Sequence, residues 1–270
     1  MIPMSDTASV DPLAPQDDLP TLCAISILAV VLSTMLHEGI GHAAIAIATL
    51  HASGTLTSLA WSSPQDSRLV LAGGTLVNLA AGIVFWFLLR ITQPRPALRL
   101  FLLLSMAFNL LTGAGYFFFS GVSNFGDWAD FIQGLHPAWL WHLGLIVVGI
   151  LAYYASILLI GTSLIRRMGA PLSDASRFRR LTLIPYFTAI VTATLAGLLN
   201  PLGMKYVLLS AVASTAGGLS GLCWMRPYIP KKITPGPAQF VPRSYSWIAL
   251  SLVFGLIFIF VFGPGVRLPR

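Results

Sequence analysis

The stretch His37-Glu38-Gly39-Ile40-Gly41-His42 lies inside an apolar run from about Leu22 to Leu50. That run is long enough to cross a bilayer, which takes about 20 apolar residues in a helix. Ionisable side chains at membrane depth are costly, and they mark functional sites. Two imidazoles and a carboxylate within six positions also supply what a metal site with its own general base needs. The chain must therefore fold so that this cluster is buried, partnered and used. The remaining sequence reads as its scaffold.

Composition fits that setting. Only 9% of the 270 residues are charged and 56% are hydrophobic, whereas a soluble domain carries about 25% charged residues. The predicted fold class is all-α, a polytopic transmembrane helix bundle of about seven spans. The apolar windows place them at about 21–50, 69–92, 97–121, 138–165, 181–199, 203–225 and 245–263. Residues 1–20 hold Pro3, Pro12, Pro15 and Pro20 with four aspartates and no Lys or Arg, which predicts a disordered tail. Residues 21–135 form a core of three spans and the loop after them, and 136–270 add about four more spans. Within the polar connection 51–68, Thr55 to Trp61 is rich in Thr and Leu and is compatible with a short hairpin. Trp61, Trp128, Trp139 and Trp141 read as an aromatic belt on the cluster's side of the membrane.

The net charge of +7 does not point to nucleic acid, because the basic residues sit in short clusters between apolar spans. There they act as topology determinants and contacts for anionic lipid. Alternate loops carry twelve Lys and Arg on one side and four on the other. The positive-inside rule then puts the N-terminal tail in the cytoplasm and the His-Glu cluster toward the outside. Cys23 and Cys223 both lie in apolar segments, and they give neither a disulfide framework nor a Cys-x-x-Cys metal signature.

The metallopeptidase helix motif is H-E-x-x-H, with two His at i and i+4 on one face. Here the pattern is H-E-x-x-x-H, one residue longer. At 3.6 residues per turn, positions i and i+5 are about 140° apart and cannot share an ion in a regular helix. A π-helical turn absorbs the extra residue, and Gly39 and Gly41 ease it. A second solution pairs Glu38 with His42, which are i and i+4. In the plainest alternative, the three side chains only hydrogen-bond neighbouring spans. Carboxylates are scarce past the tail, and Asp127 in Ser123-Asn124-Phe125-Gly126-Asp127-Trp128 follows the third span on the cluster's side. It is the candidate third ligand, with an N-cap of the following helix as the competing role. Asp130, one turn on, is expected on the solvated face.

HEGIGHA in the first span, LAGGTLVNLAAG in the second and FNLLTGAGYFFFSGVSNFGDWAD after the third resemble the site-2 protease family of intramembrane zinc metallopeptidases. The resemblance covers about residues 25–135. It implies a Zn2+ ion held by His37, His42 and Asp127, with Glu38 as the general base. It also implies a membrane protein or peptide as substrate and a multi-pass location in a bacterial inner membrane. Asn78, where the family has an Asn close to the site, and Asn124 are candidates for positioning substrate. For Asn78 the competing role is an interhelical hydrogen bond. The chain departs from the family in its longer motif and in Phe-Gly-Asp-Trp, where the family has Leu-Asp-Gly. Well-known bacterial members also place the site nearer the cytoplasm. Two other classes compete: a catalytically inactive relative that binds partners, and a small transporter. No inverted repeat supports the transporter.

Overall fold

The computed structural model describes residues 16–201, 203, 204, 207, 208, 212 and 214–269. Most of the tail expected to be disordered lies outside these residues. Its last part is ordered, because Asp17 is buried and Asp18 caps the first helix by accepting from the Thr21 N–H. Among the described residues, six helical stretches are long and apolar enough to cross a membrane: Leu19–Leu50, Arg68–Ile91, Pro96–Ser123, Ala138–Met168, Ala175–Gly197 and Tyr245–Phe262.

The first stretch comprises α1 (Leu19–Met35), a π-helical segment (Leu36–Ala44) and α2 (Ile45–Leu50). A hairpin follows, β1 (Gly54–Leu56) and β2 (Trp61–Ser62), where the sequence suggested one. Then come α3 (Arg68–Ile91), α4 (Pro96–Ser123), the short α5 (Asp127–Ile132), α6 (Ala138–Met168) and α7 (Ala175–Gly197). Ser67 and Asp174 cap α3 and α7 with their side chains, and a proline opens α4. Beyond the short helices α8 (Ser214–Gly218) and α9 (Gly221–Trp224) lie α10 (Tyr245–Ile257), a π turn (Phe258–Phe262) and β3 (Val266–Leu268). Strand β3 pairs antiparallel with β1, giving the sheet order β2-β1-β3; nothing in the sequence announced it.

The passage expected as a regular span at 203–225 falls partly outside the described residues, and its described part is broken. Helices α8 and α9 are interrupted at Leu219-Ser220. They are held at mid-bundle by the Tyr153 hydroxyl, which donates to Gly218 O (2.6 Å), and by the Tyr186 hydroxyl, which donates to Ala216 O (3.1 Å). Broken helices at membrane depth are tolerated where they are buried in protein or line a cavity. This one lines a cavity, described below.

Helix α4 is the central post. Leu100, Leu103, Leu104, Met106, Phe108 and Leu111 are buried among α1, α3, α6 and the loops beyond α9. The largest hydrophobic cluster therefore crosses position 135 without a break. Large side chains such as Ile83, Phe87, Val148 and Leu151 stay exposed on the outer helix faces, as lipid-facing surfaces require. The basic loops gather at one end of the bundle. Arg99 donates to Arg167 O, Arg226 to Leu172 O and Arg177 to Gln239 O, and Arg243 pairs with Asp18. The hairpin, Asp127 and β3 lie at the other end.

Candidate metal centre

The π-helical segment brings His37 and His42 onto one face, as the extra residue in the motif requires for a shared ion. Their ring centroids are 4.8 Å apart. The close approach of α3 fixes their surroundings. A Cβ at Gly74 would overlap the Nε2 atoms of both imidazoles, so only glycine leaves that space open. Asp127 arrives from the end of α4 through a sharp reversal. Asn124 adopts a left-handed conformation as the α4 cap, and Gly126 has φ +89°, a value that suits glycine. Trp128 anchors the turn by donating from Nε1 to Thr75 Oγ1 at 2.9 Å on α3. Trp128 is therefore a buried strut and not part of the expected belt, whereas Trp139 and Trp141 are exposed as a belt requires.

Asp127 Oδ2 lies 3.3 Å from His37 Nε2 and 3.3 Å from His42 Nε2. It opens α5 but does not serve as its cap, since Gly126 occupies that position. Burial alone pushes its carboxyl up, and the hydrogen bonds and charges of His42 and His37 pull it below the usual carboxylate range. The far sides of both imidazoles are tied. His42 Nδ1 is 2.8 Å from Val70 O, a carbonyl that can only accept. His37 Nδ1 faces Asn78 Oδ1, whose orientation is set because Asn78 Nδ2 donates to Ser33 O and to Asn109 Oδ1. Both Nδ1 atoms thus carry the proton.

A proton on one of the Nε2 atoms that face Asp127 gives an imidazolium–carboxylate pair, and protons on both give two adjacent imidazolium ions. Two such cations buried side by side are strongly disfavoured. A bound cation would take both Nε2 lone pairs and the carboxylate at once. His37, His42 and Asp127 each offer one ligand atom, and these atoms lie within 4.8 Å of one another. The residues fit a metal ion. The Nδ1 partners match the arrangement by which ligand histidines are oriented at metal sites.

Comparison with protein-family models, curated proteins and solved structures gave no match to this chain. The site is therefore argued from its own geometry.

Glu38 is buried beside the three converging groups and lines the same small cavity as His37. Its Oε2 accepts from the Trp61 backbone N–H at 3.0 Å, on the outer edge of β2. The Glu38–His42 pairing left open by the sequence is not the one that forms, since His42 converges with His37 and Asp127. Asn78 is fully buried behind His37, and its amide is spent on His37, Ser33 and Asn109. It orients a ligand, so its interhelical role is the one realised. Asn124 is exposed at the cap. Asp130 is exposed as expected.

Two contributors escaped the sequence. The Trp61 N–H is backbone and carries no side-chain signal. Tyr116, whose ring lies 5.0 Å from that of His37, sits in an aromatic run that reads as ordinary apolar surface. A cavity of about 50 Å³ beside the centre is lined by His37, Glu38, Ser58, Thr112 and Tyr116 among others. A cavity of about 780 Å³ opens between α4, α6 and the broken passage, lined by Phe118, Tyr153, Gly218 and Trp224. Thr112, Tyr116 and Ser214 border both.

Proposed function

We propose that the protein is an intramembrane zinc metallopeptidase of site-2 protease type, which hydrolyses peptide bonds of membrane-embedded proteins or peptides. The observation that carries this reading is the convergence of His37 Nε2, His42 Nε2 and Asp127 Oδ2 at membrane depth, with Glu38 buried beside them. Two imidazoles and a carboxylate are a donor set that catalytic zinc takes, with a further position left for water or substrate. Bound there, zinc supplies Lewis acidity toward a carbonyl and makes water acidic near neutral pH.

Glu38 is the base. With Oε2 held by the Trp61 N–H, Oε1 is left to take a proton from the attacking water and to deliver it to the leaving amine. Asn78 and Val70 O hold the two imidazoles in the tautomer that presents Nε2. The large apolar cavity, which shares Thr112, Tyr116 and Ser214 with the small one beside the centre, suits an apolar substrate. A helix about 10–12 Å across with a 1.5 Å rise fills roughly 120–170 Å³ per residue, so the cavity holds about five residues. That is a segment and not a whole spanning helix. The centre lies at the end opposite the basic loops, so the positive-inside rule places it toward the outer face of a plasma membrane.

The test is Glu38→Gln in purified protein, assayed on a fluorogenic single-span apolar peptide in detergent. Cleavage should fall by about 10²–10⁴-fold, the usual contribution of a general base, with metal content and fold unchanged. Loss of the metal would make Glu38 a ligand. Undiminished cleavage would reject the mechanism.

A further inference from the structure

The tight turn of the hairpin, Thr57-Ser58-Leu59-Ala60, is closed by its own hydrogen bonds. Thr57 N donates to Ala60 O, and the Thr57 hydroxyl donates to Ala60 O and accepts from the N–H groups of Leu59 and Ala60. Ser58 N donates to Phe262 O at 2.7 Å, which pins the turn to the last helix. One residue past the turn, Trp61 N pins the hairpin to Glu38. Ser58 is 5% exposed, yet its hydroxyl has no hydrogen-bond partner among the described residues. An unmade hydrogen bond at a buried hydroxyl costs about 1–3 kcal/mol. Such a group in a native fold calls for an explanation.

The explanation lies in what Ser58 faces. It lines the 50 Å³ cavity together with His37 and Glu38. A buried water needs about 10–15 Å³ of such space, so the cavity has room for a few waters or for a small polar group such as a carbonyl. We infer that Ser58 is a catalytic residue whose hydroxyl donates to the oxygen of the scissile carbonyl. The inference rests on the peptidase reading of the same centre. In the reaction the water oxygen bonds to the carbonyl carbon, Glu38 takes the water proton, and negative charge develops on the carbonyl oxygen. When that charge returns, the C–N bond breaks and the amine nitrogen receives the proton from Glu38. A donor held rigid before the reaction favours the charged oxygen over the neutral one, so it lowers the barrier without tightening substrate binding.

The experiment compares wild type, Ser58→Ala and Ser58→Thr, with the fluorogenic apolar peptide as substrate. Ser58→Ala should lower kcat by about 10²-fold, as loss of one such donor does elsewhere, with KM and metal content unchanged. Ser58→Thr, which keeps the hydroxyl, should recover most of the rate. A second readout needs no turnover: titration with a phosphinic analogue of a Leu-Leu peptide and with its methylene isostere. Ser58→Ala should weaken the phosphinic compound by a similar factor and leave the isostere unchanged. A structural role would weaken both equally, and that result overturns the inference, as does unchanged kcat or a change confined to KM. If wild type neither cleaves the peptide nor binds the phosphinic compound, the peptidase reading falls and takes this one with it. If wild type does both and Ser58→Ala matches it, only the role of Ser58 falls.

Discussion

Two clusters of ionisable side chains are buried at opposite ends of the bundle, and they are built on opposite rules. At the basic end, Arg177 Nε donates to Asp17 Oδ2 at 2.9 Å, while its other nitrogens donate to Met168 O, Gly169 O and Gln239 O. Asp17 Oδ1 accepts from Val241 N, and the guanidinium lies 4.2 Å from the Phe240 ring. Both partners are spent, and the pair ties the chain before α1 to the loops after α6 and α9. At the other end, the ligand atoms of His37, His42 and Asp127 lie within 4.8 Å of one another. Beside them the Ser58 hydroxyl has no partner among the described residues. A buried charge that closes its hydrogen bonds holds a fold together. One that leaves them open, at a cost, is available for a ligand.

That contrast can be broken or sharpened. The largest effect is expected from Asp127→Ala, which removes the carboxylate that faces both imidazoles. Metal content, measured on purified protein, should drop from stoichiometric to none and cleavage should vanish, while the metal-free melting temperature stays at the wild-type value. A large loss of metal-free stability would put this cluster in the structural class with Arg177. Next is Arg177→Ala, which strands a buried carboxylate and should destabilise by about 3–5 kcal/mol. Thermal unfolding in detergent measures it, and metal stoichiometry in the surviving folded protein should be unchanged. If the metal is lost instead, the two ends are coupled and the contrast fails. Smallest is Asn78→Ala, which frees His37 Nδ1. Loss of such a partner typically costs 10–100-fold in metal affinity, or about 1.4–2.8 kcal/mol. Competition with a chelator reads it directly, and an unchanged affinity would remove Asn78 from the centre.

The first span shows how far a local pattern reaches. Apolar length announced a membrane helix, and one residue too many between His37 and His42 required a distortion if they were to share an ion. The π-helical segment at Leu36–Ala44 is that distortion. The hairpin was also legible, because Thr and Leu cluster between turn residues. Helix α5 was harder. Asp127 was the candidate third ligand with a helix cap as its competing role, and the left-handed Asn124 and Gly126 set the turn that carries it.

The sequence by itself determined a membrane-embedded helical bundle and the side chains that could carry chemistry, since apolar length and ionisable type are properties of each segment alone. The tertiary structure decided everything that depends on contact. It chose His37 with His42 over Glu38 with His42, brought Asp127 across 90 positions to meet them, and set Asn78 behind His37. It broke the passage between α7 and α10 and added β3 to the hairpin. It also tied Asp17 to Arg177 across 160 positions. In lipid, apolar helices gain little hydrophobic energy from one another, so small-residue contacts such as Gly41 on Gly74 and buried polar bonds choose the packing. Those partners are distant in sequence, and no local pattern encodes them.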